Sequence, residues 1–126
     1  MRTDAGRDFQ AAVMGDTGSD GTGDYAPACY IGLTADANAP AAGNTTLAGE
    51  IDSGTLVRAQ GVYAHTSGTD IYTLTKTFTS DQTVTINKVG VFNDATSGVL
   101  VFETLLDYPV TLRSGDQVQI TVAVTL

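Results

Sequence analysis

QVQITVAVTL, Gln117 to Leu126, alternates without a break. Val118, Ile120, Val122, Val124 and Leu126 fall on one side of an extended chain. Gln117, Gln119, Thr121, Ala123 and Thr125 fall on the other. Successive side chains of a strand point to opposite faces, so this is the pattern of a half-buried β-strand. A strand in this position is expected either inside a sheet or covered by a partner, because an open Thr-rich edge invites pairing.

Reading backwards from that strand, the same period recurs. Ser114-Gly115-Asp116 is a tight turn with Gly115 at the left-handed position, and VLVFETLL before it is a strand. Asp107-Tyr108-Pro109 reads as a loop. NDATSG is a hairpin loop in which Gly98 supplies a positive φ. In TVTINKVGVFN the apolar parity runs Val84, Ile86 and then Val89, Val91, so a bulge is expected at Asn87-Lys88. DIYTLTKTFT puts Tyr72, Leu74 and Phe78 on one face and Thr73, Thr75, Thr77 and Thr79 on the other. LVRAQGVYAHT alternates around Gly61, which suggests a bulge there, and PACYIGLTAD is a further strand. In the loop between them, Asn44-Thr45-Thr46 followed by Leu47 and Glu50 has the spacing to cap one helical turn.

Strands at regular spacing with tight turns predict an all-β fold, an antiparallel β-sandwich or jelly-roll-like barrel. The domain is expected over residues 28–126. Residues 1–27 read as an extended N-terminal arm followed by a Gly/Asp-rich linker. The arm's apolar patch, Phe9 with Val13 and Met14, would be a strand or a segment that docks on a neighbour, and these three residues are the expected interface.

The chain has 126 residues, six Lys and Arg against fourteen Asp and Glu, and a net charge of −8. That balance argues against nucleic acid and against anionic membrane surfaces, both of which need clustered cations. Charged residues make up 16 %, against about 25 % in an average soluble domain, which suits a neutral polar surface in a close-packed assembly. No apolar run approaches the length of a membrane span. Asp4 and Asp8 flank the short apolar patch, so no secretory signal is expected and synthesis is expected in a cytoplasm.

Candidate chemistry is sparse. Cys29 is the single cysteine, read as a small buried hydrophobe, and His65 is the single histidine, read as a polar turn or interface residue. One Cys and one His make neither a catalytic dyad nor a zinc site. Asp16-Thr17-Gly18 matches the active-site triplet of retroviral-type aspartic proteases. Those enzymes place apolar residues directly before the Asp and a Gly-Arg-containing motif far downstream before a C-terminal helix. Here Gly15 precedes Asp16, Gly6-Arg7-Asp8 lies upstream, and the C-terminal region is strand. Asp16, Asp20 and Asp24 recur every four residues, but a calcium loop needs ligands at alternate positions and a closing Glu. The chain is therefore read as no enzyme, with no cofactor and no metal.

From Ala28 to Leu126 the motifs resemble a loose group of tailed-bacteriophage virion proteins. The likeness is carried by Gly32-Leu33-Thr34, by Thr45, Leu47 and Glu50, by Val57-Arg58, by Val89 to Asn93, by Ser97 to Leu100 and by Ser114-Gly115-Asp116. Arg58 and Glu50 are either a charge pair or two solvated side chains. The resemblance implies a capsid decoration, or cement, protein that bridges adjacent capsomers on the outer face of a head. Its partners would be the major capsid protein or other virion proteins and further copies of itself, with a trimer as the expected homo-oligomer. A tail, baseplate or fibre-attachment protein of the virion is the alternative.

Overall fold

The computed structural model describes residues 1–15 and 26–126. Helix α1 (Asp4–Gly15) comes first, followed by β1 (Tyr30–Thr34), β2 (Ala59–Gln60), β3 (Val62–His65), β4 (Ile71–Thr79), β5 (Val84–Phe92), β6 (Leu100–Leu112) and β7 (Gln117–Thr125). The strands make two antiparallel sheets. One is four-stranded in the order β2-β1-β5-β6, and the other is three-stranded in the order β3-β4-β7. Their inner faces meet in one core that includes Ile31, Leu33, Val89 and Val91 from the first sheet and Leu74, Phe78, Ile120 and Val122 from the second. The expected all-β sandwich is the fold.

Local sequence decides how the chain moves between sheets. β2 and β3 are nearly continuous, and the chain changes sheet at Gly61, where a bulge was expected. The Gly61 amide donates to the Cys29 carbonyl at 2.7 Å, so the crossing costs no unpaired donor. The Ser80-Asp81-Gln82 turn and the Arg113–Asp116 turn are crossings too, from β4 to β5 and from β6 to β7. Gly98 and Gly115 take the positive φ angles their turns require, 76° and 92°.

The parity change in β5 is real. Val84 and Ile86 face the core before it, Val89 and Val91 after it, and the β5–β6 register shifts between Ile86 and Lys88. The extra residues lie in β6. While β5 passes from Lys88 to Ile86, β6 passes from Leu105 to Val110. Asp107-Tyr108-Pro109 is therefore a bulge within one long strand and not a loop between two.

The flip buries both faces of β5. On the face away from the core, the first part of the long β1–β2 connection, residues 35–50, lies over the sheet, and beyond it a 3-10 turn at Gly54–Leu56 carries Leu56 into the main core. Leu47 of that first part packs with Phe92 and Leu100 in a second small core. No helical turn forms there at Asn44–Glu50. Instead the Glu50 amide donates to the Leu47 carbonyl at 3.1 Å, closing a β-turn.

Two cations pin that connection. The Lys88 ammonium, on a side chain 2 % exposed, lies 2.7 Å from Asp36 Oδ2 and donates to the Asn38 carbonyl at 3.2 Å. It also stands 3.9 Å from Oε2 of fully buried Glu103. Glu103 Oε1 accepts from the Ala41 amide at 2.9 Å and from Asn44 Nδ2 at 2.6 Å. Arg58 grips Glu50 through both Nε and Nη2, at 2.8 and 2.6 Å. Its Nη1 donates to the carbonyls of Asp94 and Ser97, and its guanidinium lies 3.4 Å from the centre of the Phe92 ring. Arg58 and Glu50 are thus a charge pair in the bidentate, stacked geometry that favours Arg over Lys.

Two outcomes follow from this network. Lys88→Ala leaves the Glu103 carboxylate buried without its counter-charge, and the expected loss is about 3–5 kcal/mol by chemical denaturation. The hydrogen bond from Lys88 holds the Asp36 carboxyl below its ordinary 3.8, against the opposing effect of desolvation. A depressed native value gives stability that is present above pH 3.8 and lost as pH falls through the native value. Acid unfolding curves of Asp36→Asn should therefore be flatter than the parent's below pH 3.8 and lower than it above.

Candidate functional site

Residues 4–15 are helical, not extended, and the reason lies in three residues. Thr3 is the N-cap. Its Oγ1 accepts from the Gly6 amide at 2.9 Å, and the Arg7 amide reaches the Thr3 carbonyl at 3.0 Å. Asp4 sits in the first turn, where the helix dipole favours an anion. Gly6 allows the helix to touch the sheet, because a Cβ there would come 2.2 Å from the Val101 carbonyl oxygen. Thr3 is fully buried, and its hydroxyl donates to the Leu100 carbonyl.

The segment before the helix is strand-like. Arg2 bridges to Phe102, the Thr3 amide donates to Val101, and the Glu103 amide donates to Met1, each amide bond at 3.0 Å. Met1–Thr3 thus covers part of the outer edge of β6, and α1 then packs against that strand. The N-terminal region docks on its own domain, at least over the described residues.

Between α1 and the sandwich lies a cavity of about 1100 Å³. One wall is Phe9, Val13 and Met14 from the helix. The other is Tyr63, Tyr72 and Leu126, with Cys29 and Phe102 between them. Register explains the second wall. Tyr63 pairs with Leu74, Leu74 with Val122, and Tyr72 with Val124, so all of these side chains share the inner face of the three-stranded sheet. Leu74 and Val122 are covered by the opposite sheet, but Tyr63 is 61 % and Leu126 75 % exposed. The inner face overhangs its partner sheet at this end, and α1 stands over the overhang without filling it.

The three residues expected at an interface therefore all line this cavity. Phe9 is half-buried, Val13 is 48 % exposed and Met14 is 88 % exposed. Leu126, read from sequence as core-facing, is at the rim. The Tyr63 and Tyr72 rings lie 5.7 Å apart, tilted by 43°. Burial raises the Tyr72 hydroxyl above its ordinary 10.0, Tyr63 adds to the rise, and Arg2 opposes it. At the rim Arg2 donates to Gln10 Oε1 at 2.5 Å, and Arg7 pairs with Asp4 at 2.8 Å. Both partners of the second pair are mostly exposed, so it adds little.

The described residues that line the cavity form no reactive constellation. Cys29 is half-buried and packs against the core, and His65 at the end of β3 places Nδ1 3.0 Å from the Ile71 carbonyl. Among the described residues no group of three or more His, Cys, Asp or Glu side chains is placed to hold a metal ion. No helix among them is long and apolar enough to cross a membrane. Asp16-Thr17-Gly18 and the Asp16, Asp20, Asp24 series lie outside the described residues. What the site offers is apolar surface and space. No protein-family model matches the chain, and no curated protein matches it.

The expectation of a strand or extended arm around Phe9, Val13 and Met14 is overturned, since Asp4–Gly15 is a helix. The available signal was Thr3-Asp4 as a cap, with Phe9 and Val13 four residues apart on one helical face. Gly6→Val should release α1 from β6. Hydrogen exchange would then show lost protection at the amides of Phe9 to Val13, with protection of β4, β5 and β7 retained.

Proposed function

We propose that this chain is a bacteriophage virion structural protein that decorates the outer surface of the head and stabilises adjacent capsomers. The observation that carries the reading is the apolar rim at one end of the sandwich. Met14, Leu126, Tyr63 and Val13 are exposed around a cavity that the chain's own helix leaves open. A monomeric domain gains nothing from such a surface, whereas one that docks on a lattice buries it. The resemblance of Ala28 to Leu126 to phage virion proteins supports the same reading.

In this proposal apolar side chains of a neighbouring virion subunit fill the cavity between α1 and the Tyr63–Tyr72 pair. The acidic remainder of the surface, at a net charge of −8, faces basic patches on the capsid exterior. Binding only the assembled lattice stabilises it by mass action, and many copies act together. The work done is burial of area, with no bond made or broken.

Add-back is the test. Purified protein is mixed with heads that lack it, with whole particles and with isolated tails, and bound copies are counted after sedimentation. Many copies on each head, with a higher head-disruption temperature, are the expected result. Few copies, confined to tails or necks, would move the protein to the tail, baseplate or fibre-attachment position. Met14→Asp should abolish binding to heads while leaving the thermal unfolding of the free domain nearly unchanged, since its side chain is 88 % exposed.

A further inference from the structure

The sandwich has four sheet edges, and three of them are guarded. β2 is two residues long and β3 is four. β6 is covered near its start by Met1–Thr3, and further along it carries a bulge with Asp107 and Pro109. Short strands, bulges, proline, charge and covering segments are the devices by which edges avoid other chains. Among the described residues β7 has none of them. It runs nine residues, QVQITVAVT, without charge, proline, glycine or register shift. It pairs with β4 on one side, and among the described residues no strand pairs with the other.

We infer that the open edge of β7 is a self-association surface whose partner is β7 of a second copy, paired antiparallel about a two-fold axis at Thr121. Three observations select that occupant. First, the chain carries a net charge of −8, so copies repel wherever acidic groups meet. β7 is a long uncharged strand, and pairing it with itself sets no like charges opposite one another. Second, an axis at Thr121 pairs residues of equal parity. Ile120 then lies opposite Val122 of the second copy, so buried face continues buried face and the sheet becomes six-stranded. The outward face then continues the Thr73, Thr75, Thr121 array.

The third observation comes from the neighbouring sheet. β2 and β3 are joined at Gly61, so they lie on one side of the sandwich and β6 and β7 lie on the other. On that second side the β6 bulge exposes Tyr108, at 81 %. A second copy seated on β7 is placed beside it. An isologous contact of this kind closes on itself and gives a dimer without a fibre.

The inference rests on the virion reading only in taking self-association to be part of the protein's work, and its test uses no particle. Sedimentation equilibrium of the full chain should give a dimer. Thr121→Lys and Thr121→Glu, both at an exposed side chain, should each give a folded monomer at the concentration where the parent is dimeric. An equimolar mixture of the two variants should restore the dimer, because opposite charges then meet across the axis. A parent that stays monomeric, that forms a trimer, or whose dimer survives both substitutions would overturn the inference. Any of those results leaves the add-back experiment free to succeed. A dimer with failed add-back would overturn the head reading alone.

Discussion

The Lys88 ammonium is buried on the face of a sheet that an ordinary sandwich would leave to solvent. Around it stand Asp36, the Asn38 carbonyl and Glu103, and these groups hold the first part of the β1–β2 connection, residues 35–50, down over β5. A buried charge is tolerated only with partners and hydrogen bonds in place. The covering connection is therefore not optional, and it brings its own Leu47 against Phe92 and Leu100. The Asn87-Lys88 parity change makes this possible. It turns the Lys88 side chain outward while keeping Val89 and Val91 on the core. Arg58 repeats the device at the other end of the connection, joining Glu50 to the β5–β6 hairpin.

Much of the sandwich was legible because its signals are local. The alternation of β7 reads directly as Ile120, Val122 and Val124 inward. Turn chemistry placed Gly98 and Gly115, and the broken parity of β5 located the register shift. What was illegible depends on partners distant in sequence. Gly61 looks like a bulge until it is known that β2 and β3 belong to different sheets. Lys88 looks like a surface residue until the connection that covers it is in place. Gly6 looks like a helix breaker, yet its missing Cβ is what lets α1 rest on Val101. Tyr63 and Leu126 alternate correctly and still lie at the rim, because periodicity names a face and not whether another layer reaches over it.

The candidate site was legible in its residues but not in its form. Phe9, Val13 and Met14 stood out as an apolar patch in a polar surrounding. A flexible arm and a helix give the same composition, and only the cap at Thr3 distinguishes them. As a helix, the patch faces the Tyr63–Tyr72 pair across a cavity instead of reaching freely outward. The surface is thus partly formed in the free chain, which would lower the ordering cost of any binding proposed there.

The crossings between sheets also set how this chain must fold. β1–β2, β3–β4 and β5–β6 are the pairings made between strands consecutive in sequence, the first of them across the long connection. β1 waits for β5, and β4 pairs with β7 through contacts such as Ile71 with Thr125. Loop closure must precede each of those contacts, so the domain belongs among slow-folding topologies. A β3–β4 hairpin formed before the second sheet arrives would carry Leu74 and Phe78 uncovered on one side. The Thr-rich outer face of β4 would leave such a hairpin apolar on that side only.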